Sequence, residues 1–385
     1  DELRRLSERR AALRAEEEAV QANIISTSVM QEMPTPRETH VLSRGQYDQP
    51  AELVHPNVPT ALGSMPDDMP HDRLGFARWL VAPSNPLTAR VAVNRYWRQA
   101  FGEGLVRTDG DFGLQGEQPT HPALLDWLAV HFVESGWDVK ALMKLLLTSA
   151  TYRQSSNFTP LLRAQDPDNR LLTRGPRYRL PAELLRDQAL ALSGLLVERI
   201  GGPSVKPYQP PGIWEAISYN GDLTYEADHG ESLYRRGIYT FWKRQSPPPG
   251  ILTFDGPTRE VCTVRRARTN TPLQALVLLN DMTYVEAARG LATRILREGG
   301  RNVRERVQFG FRLVTSRKPT GSEVDALKKL YEDELMEFRA RPDAAQSLLA
   351  VGELPVDTKL DTCKLAAWTV VASSLLNLDE VITQH

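Results

Sequence analysis

The densest group of reactive side chains lies in residues 254–271, Phe-Asp-Gly-Pro-Thr-Arg-Glu-Val-Cys-Thr-Val-Arg-Arg-Ala-Arg-Thr-Asn-Thr. Two carboxylates and four guanidinium groups precede an apolar helix, whose first N–H groups favour a nearby anion. Arg265 and Arg266 have the geometry to clamp a carboxylate or a sulfate with paired N–H bonds. The other interpretation is a buried network of arginines and carboxylates that ties this loop to the core. The ligand-binding residues predicted in this segment are Arg259, Arg265, Arg266 and Asn270, with Asp255 as a catalytic acid or base.

A second polar group is predicted on a helix over residues 87–101. Arg90, Asn94 and Arg98 recur every four residues and therefore share one face of this helix. The sequence predicts that Arg90 and Asn94 line a ligand pocket between this helix and the arginine-rich segment. The alternative is that this face makes structural hydrogen bonds to the proline-rich chain before it.

The loop Asp109-Gly-Asp-Phe-Gly-Leu-Gln-Gly-Glu117 begins like a calcium-binding loop, with acids at its first and third positions. The fifth position is Gly113 and the twelfth is Thr120, so the EF-hand pattern fails. A glycine-rich turn is the interpretation we favour, and no metal site is predicted. Asp111 is the second candidate for a catalytic acid or base.

Aromatic side chains concentrate in residues 201–268, where prolines and glycines interrupt any regular period. Aromatic faces beside arginine, aspartate and asparagine suit stacking on sugar rings, and Trp242 is predicted to contact a ligand. An equally good interpretation is that an irregular segment needs large side chains for its own small core. The group comprises Tyr208, Trp214, Tyr219, Tyr225, Tyr234, Tyr239 and Trp242.

Composition and missing motifs exclude several classes of protein. The 385 residues carry a net charge of −1, which gives no support for binding nucleic acid, and no apolar run is long enough to span a membrane. There is no zinc-protease, nucleophile-elbow or P-loop motif, and no Cys-x-x-Cys-His for haem c. The two cysteines, Cys262 and Cys363, either pair or are small apolar residues of the interior. The sequence therefore predicts no cofactor in this chain.

Hydrophobic periodicity predicts a mainly α, multi-helical domain with a small β-containing, Pro/Gly-rich insertion. A strand is expected over residues 233–243, with a turn at 219–222 before its partner. Helices are predicted over residues 1–25, 72–81, 87–101, 122–135, 138–151, 180–199, 272–297, 306–314, 321–340 and 359–376. The predicted divisions are an N-terminal helix and extended Pro-rich arm (1–70), a helical lobe (71–200), the insertion (201–268) and a C-terminal helical lobe (269–385).

Several motifs together resemble the planctomycete DUF1553 family, also called PSD1. The resemblance covers roughly residue 27 to the C-terminus. It rests on Asn85-Pro-Leu-Thr-Ala-Arg-Val-Ala-Val-Asn-Arg-Tyr-Trp97, Thr148-Ser-Ala-Thr-Tyr-Arg-Gln-Ser155, Asp166-Pro-Asp-Asn-Arg-Leu-Leu172, Arg235-Arg-Gly-Ile-Tyr-Thr-Phe-Trp-Lys-Arg244, Thr269-Asn-Thr-Pro-Leu-Gln-Ala-Leu-Val-Leu-Leu-Asn-Asp281 and Ser374-Leu-Leu-Asn-Leu-Asp-Glu380.

The resemblance implies context more than chemistry. Such proteins are typically large and exported to the periplasm or the extracellular space, with an upstream c-type cytochrome domain and a DUF1549 domain. Haem c would then belong to an upstream domain, and the upstream region would be a partner of this one. The chain begins at Asp1, so we expect a fragment whose signal peptide lies elsewhere.

Two functions remain open from the sequence. In the first, the domain binds or processes a complex polysaccharide, sulfated ones included; if it is an enzyme, we expect a carbohydrate-active hydrolase or lyase. In the second, it is a non-catalytic scaffold that positions the upstream cytochrome and DUF1549 region. The family name records an unknown function, so the resemblance supplies no catalytic residue.

Overall fold

The computed structural model describes residues 2–384 and divides the chain into two compact units, Asp1–Thr88 and Ala89–His385. The four segments predicted from the sequence are a different division, and their boundaries stay a prediction.

The first unit contains a long helix, a small hairpin and a short helix. Its elements are α1 (Glu2–Ala22), β1 (Thr39–Leu42), β2 (Pro50–Val54) and α2 (Arg73–Leu80). The two strands pair antiparallel, with Thr39 opposite Val54, inside the segment that was expected to be a plain extended arm. Asp72, where the predicted helix over residues 72–81 begins, caps α2 because its carboxylate accepts the Gly75 N–H at 2.8 Å.

Helix α1 forms as predicted, and every one of its residues is exposed. Leu6, Leu13 and Val20, which recur every seven residues along α1, are each more than half exposed.

The second unit is built almost entirely of helices. Its elements, with α3 beginning at the boundary, are α3 (Thr88–Phe101), α4 (Pro122–Glu134), α5 (Val139–Thr148), α6 (Pro160–Gln165), β3 (Tyr178–Arg179), α7 (Ala182–Ser193), α8 (Pro249–Thr253), α9 (Pro272–Asn280), α10 (Met282–Glu298), α11 (Val303–Thr315), α12 (Gly321–Ala340), α13 (Pro342–Leu349), α14 (Thr362–Leu376), α15 (Asp379–Ile382) and β4 (Thr383–Gln384).

Two apolar cores support this unit. The larger is centred on α10 and α14, where Leu291 and Trp368 are completely buried and α7, α11, α12 and α13 pack around them. A helix that is apolar on most sides must lie inside the protein, which explains the central place of α14. The smaller core joins α3, α4 and α5 through residues such as Val93 and Leu128.

The predicted fold class is confirmed, since helices dominate and the strands within residues 2–384 are few and short. No helix in this part of the chain has both the length and the apolar composition needed to cross a bilayer. Strands β3 and β4 pair antiparallel and bring residues 178–179 beside 383–384.

The helix predicted over residues 272–297 is in fact two helices that meet at Asp281. The Asp281 backbone is extended, with φ −65° and ψ 137°, and its carboxylate accepts the Thr283 N–H at 2.9 Å. Aspartate competes with the helix in this way through local side-chain bonds, so α9 ends and α10 begins. The cap of α9 is Thr271, paired with Gln274 in a capping box.

The strand predicted over residues 233–243 does not form. Two short 3₁₀ turns, Gly230–Tyr234 and Gly237–Tyr239, occupy this segment instead, with isolated bridges beside them. The guanidinium of Arg235 is completely buried and donates to the carbonyls of Arg199, Gly201 and Pro203. These side-chain hydrogen bonds satisfy backbone carbonyl groups that have no partner in a regular strand.

The two cysteines are both free thiols, so the interpretation in which they pair is wrong. Cys363 is half-buried against the larger core, whereas Cys262 is exposed in the arginine-rich loop. Only Cys363 therefore resembles the small apolar residue that the sequence offered as the alternative.

We expect Leu291→Ala to lower the free energy of unfolding by about 2–5 kcal/mol, because it leaves a cavity between α10 and its neighbours. The matched control is Leu276→Ala on the exposed side of α9, where the change should stay below about 0.5 kcal/mol. Urea denaturation followed by circular dichroism measures both values. Equal losses in the two variants would contradict this placement of the core.

Stability should also fall in acid because of Arg317, which binds the carboxylates of Glu323 and Glu380. The Arg317 guanidinium and the Thr320 N–H lower the pKa of Glu323 to about 2, against 4.5 for the free side chain. The folded-state pKa is the lower one, so this contribution is complete above about pH 4.5 and is lost as the pH falls towards 2. Urea midpoints at about pH 6 and about pH 3 should differ less in Arg317→Gln than in the native protein or in the exposed control Arg301→Gln.

Candidate functional site

Two of the arginines predicted to bind a ligand are held by carboxylates of the protein itself. Arg265 Nη2 lies 2.7 Å from Glu103 Oε1, and Arg266 Nη1 donates to both Glu183 oxygens, at 3.0 and 2.8 Å. These are contacts of the kind expected from the network interpretation of this segment. The clamp of these two guanidiniums on a shared ligand stays a prediction.

Asp255 lies beside the same segment and binds Thr269. One carboxylate oxygen accepts the Thr269 N–H at 2.7 Å, and both oxygens contact the Thr269 hydroxyl. The Asp255 backbone has φ +60°, a left-handed conformation that aspartate tolerates better than most residues. The completely buried Gln274 donates to the same hydroxyl at 3.0 Å. Together these bonds fix the chain on both sides of Thr269.

Arg259 and Trp242 contact each other in a neighbouring part of the loop. The Arg259 Cζ atom lies 4.1 Å from the centroid of the Trp242 ring, and the indole N–H donates to the Thr258 carbonyl at 3.2 Å. The pair is a cation–π contact within the loop, and a role for either residue in ligand binding stays a prediction.

The polar face of α3 serves three different purposes. Arg90 Nε lies 2.7 Å from Asp126 Oδ1 on α4. Asn94 is completely buried, where its amide binds both the N–H and the carbonyl of Val106, each at 2.9 Å. Arg98 Nη1 lies 2.7 Å from Asp109 Oδ2. The spacing of Arg90, Asn94 and Arg98 thus predicted that they share one face of the helix. Only the packing determined which residue each of them contacts.

Asn94 is the centre of a buried polar cluster. Its amide nitrogen also donates to Asp109 Oδ1 at 2.9 Å, and desolvation raises the pKa of the Asp109 carboxyl. A Cβ atom at Gly104 would come within 2.6 Å of the Asn94 amide, so only glycine fits there. The cluster fastens the loop after α3 to the helix.

Asp111, the second predicted acid or base, is exposed in this loop and accepts the Gly113 N–H at 2.8 Å. Asp109 instead turns into the buried cluster, so the two acids do not face a common point as ligands of a calcium loop would. Within residues 2–384 no group of three His, Cys, Asp or Glu side chains is arranged to hold a metal ion.

A cavity of about 320 Å³ opens at the C-terminal end of α3, and we call it the arginine cavity. Its lining residues are Trp97, Phe101, Gly102, Glu103, Gly104, Leu105, Thr120, Asp168, Asn169, Arg170, Leu172, Arg177, Tyr178, Arg179, Arg268, Thr269 and Asn270.

Of the predicted ligand-binding residues, Asn270 lines this cavity, whereas Arg90, Asn94, Arg259, Arg265, Arg266 and Trp242 do not. Neither Asp111 nor Asp255 lines it.

Aromatic packing at the end of α3 shapes one wall. Trp97 and Phe101 stack with ring centroids 4.1 Å apart, as residues four positions apart on a helix can. Gly102 follows at φ +86°, and a Cβ atom there would lie 2.8 Å from the Tyr178 ring. The Tyr178 hydroxyl donates to the Gln99 carbonyl. The glycine therefore lets β3 lie directly against the helix end.

The loop over residues 166–174 forms the opposite wall. Buried Asp166 accepts the N–H groups of Arg170 and Leu171, at 2.6 and 2.9 Å. Asn169 and Leu172, both lining the cavity, have φ values of +53° and +57°. Positive φ is strained for leucine, and strain of this kind clusters at functional sites because the surrounding structure must hold it in place.

Two guanidinium groups in the cavity lack a carboxylate partner. Arg179 Nη1 donates to the Asn270 side-chain oxygen at 3.1 Å, and Arg268 Nη1 donates to the Gly102 carbonyl at 2.8 Å. No carboxylate of the described residues lies within 4.0 Å of either group. Desolvation lowers the pKa of both arginines, so their surroundings disfavour the cation.

The two acids that line the cavity are already neutralised from outside it. Glu103 is bound by Arg265, and Asp168 lies 3.0 Å from Arg107 Nη2. The unpaired charge of the cavity is therefore positive, although the whole chain carries a net charge of −1.

Sequence reasoning missed most of the lining residues. Arg170 and Asn169 belong to the 166–172 motif, which was noticed for its resemblance and given no chemical role. The run Arg177-Tyr-Arg179 alternates basic and aromatic residues, and this pattern in the sequence could have indicated a binding site. Arg268 lies in the segment that was singled out, but its neighbours were chosen in its place.

The family model described as PSD1, protein of unknown function (DUF1553), matches residues 72–331. The match covers more than half of the chain, so the chain belongs to this family. No curated protein and no solved structure matches the chain.

We expect Asn94→Ala to act on stability. It removes partners from both backbone groups of Val106 and from Asp109, and an unpaired buried polar group costs about 1–3 kcal/mol. The free energy of unfolding should fall by at least about 2 kcal/mol on this basis. Asn270→Ala, which alters an exposed amide, is the control and should change it much less. An Asn94→Ala protein as stable as the control would contradict the structural role of this residue.

Proposed function

We propose that this domain binds an anionic, hydroxyl-rich ligand in the arginine cavity, and that sulfated saccharides are the ligand class. The observation that carries the proposal is the pair Arg179 and Arg268, two partly desolvated guanidinium groups with no carboxylate of the described residues within 4.0 Å. Asp255 and Asp379 act on Arg179, and Glu103 acts on Arg268, only from a greater distance. Arg179 is half-buried and Arg268 is exposed, so both can be reached by a ligand, whose oxyanion would offset their partial desolvation. Guanidinium groups match the geometry of sulfate and carboxylate through paired N–H bonds.

The other lining residues support a sugar as the carrier of this anion. Asn169 bonds to Arg174 and Thr120 bonds to Leu105, but the Asn169 amide has a further donor and both side chains have further acceptor capacity for sugar hydroxyls. Trp97 and Tyr178 supply apolar surface. A volume of about 320 Å³ lies at the small end of the range for ligand sites and suits a short saccharide segment. The exported location implied by the family resemblance belongs to the same proposal.

The second candidate is the scaffold function, and helix α1 favours it. Leu6, Leu13 and Val20 are each more than half exposed, and a helix seam of this kind normally packs against another chain segment. An upstream cytochrome and DUF1549 region would be the partner. A purely structural domain would bind neither sulfated nor unsulfated sugars, so the measurement below separates the two candidates.

The proposal is tested by isothermal titration calorimetry with a monosulfated disaccharide and its unsulfated counterpart. We expect the sulfated sugar to bind more tightly, and Arg268→Gln or Arg179→Gln to weaken it by about 10- to 100-fold, since a bond to a charged group contributes about 1.5–3 kcal/mol. Arg268→Lys should retain part of the affinity, because it keeps the charge but loses the planar fork.

The exposed Arg301→Gln variant is the control, since it removes the same charge outside the cavity. It should bind like the native protein. Thermal unfolding of each variant checks that lost binding is not lost folding. Equal affinity for the two sugars, or native affinity in both cavity variants, would overturn the proposal.

A further inference from the structure

Two lysines of the insertion converge on one tryptophan. Lys243 Nζ lies 5.1 Å from the centroid of the Trp214 ring, and Lys206 Nζ lies 5.6 Å from the same ring. Lys206 Nζ is also 5.8 Å from the centroid of Phe241. Both ammonium groups gain from the electron-rich faces of these rings, but their positive charges repel each other.

No carboxylate within residues 2–384 lies within 4.0 Å of either ammonium group. Asp228 contacts Lys206 through the backbone and not through the ammonium group, because its Oδ2 atom accepts the Lys206 N–H at 2.8 Å. Two ammonium groups near one indole repel each other, and no nearby carboxylate offsets this repulsion. A bound anion would offset it.

Buried donors without partners lie in the same part of the insertion. Trp214 is 8% exposed and Ser246 is 6% exposed, and neither the indole Nε1 nor the serine hydroxyl has a hydrogen-bond partner. Ser246 pairs with Lys243 in an isolated bridge. Native proteins leave few buried polar groups unpaired, and the Trp214 indole N–H beside two ammonium groups is a donor available to an acceptor that binds there.

An open cleft of about 720 Å³ lies on the Lys206 side of this group. Lys206, Arg199 and His229 line the cleft, whereas Trp214 and Lys243 do not. Glu226 and Asp228 are the acids of the same cleft. Lys206 is therefore the member of the group that an anion in this cleft would lie beside.

We propose that the insertion holds a second oxyanion site, in which Lys206 and Lys243 supply the charge and the Trp214 indole N–H donates a hydrogen bond. The ligand class is a tetrahedral oxyanion, either a sulfate or a phosphate group, free or carried on a larger molecule. This site shares no residue with the arginine cavity, so it stands or falls independently of the function proposed above.

The test is a titration of the ¹⁵N-labelled native protein with sodium sulfate and with sodium phosphate, each against sodium chloride at constant ionic strength. The indole N–H signal of Trp214 is identified by its loss in Trp214→Phe. We expect this signal to shift and to saturate with at least one oxyanion and not with chloride. A signal that stays still, or that moves linearly without saturating with either, overturns the proposal.

Lysine variants establish which side chains carry the site. Lys206→Gln and Lys243→Gln should each weaken the binding at least tenfold, while Lys243→Arg, which keeps the charge and the fold, should retain most of it. Lys328→Gln on α12 is the matched control for one lost positive charge, and Arg268→Gln should leave this titration unchanged. Native affinity in both glutamine variants, or loss in Arg268→Gln, would contradict the assignment.

Discussion

Backbone carbonyl groups that no helix or sheet satisfies are met in this protein by arginine side chains. Arg235 donates to three carbonyls of residues 199–203, and Arg186 donates to those of Leu233 and Arg235. Arg289 does the same for Leu349 and Leu354. A guanidinium has five donors in a fixed plane, so one side chain can tie several irregular segments together where an ammonium could not. The proline- and glycine-rich chain between α7 and α8 depends on this bonding for its shape.

The same chemistry ties the arginine-rich loop to the rest of the unit. Arg265 and Arg266 bind Glu103 and Glu183, which lie outside the loop, and Asp255 accepts the Thr269 N–H. The cations that have no carboxylate nearby are more informative about a ligand site than the total number of charged residues. Arg179 and Arg268 remain in the arginine cavity, and Lys206 and Lys243 remain over Trp214. Unpaired cations mark both places where we propose that an anion binds.

Much of the helical fold could be predicted because its signals are local. Helix α12 runs over residues 321–340 as expected, and Asp72 caps α2 where its position in the sequence suggested. The prediction was wrong at Asp281 and over residues 233–243, where side-chain hydrogen bonds to the backbone compete with regular structure. The Asp281 bond is local, whereas the bond to the second segment joins distant parts of the chain, since Asp187 accepts the Gly237 N–H. Periodicity contains no information about them.

The sequence by itself determined the class of fold, the family, and the concentration of four arginines in residues 254–271. Only the tertiary structure decided which of these groups meets a carboxylate, a carbonyl or a cavity. Arg265 binds Glu103 across 162 positions, and Arg268 binds the Gly102 carbonyl across 166. The local pattern of the sequence predicts which face of a helix a side chain occupies. Its hydrogen-bond partners, about 3 Å away, belong to distant segments that only the packing of the cores places beside it.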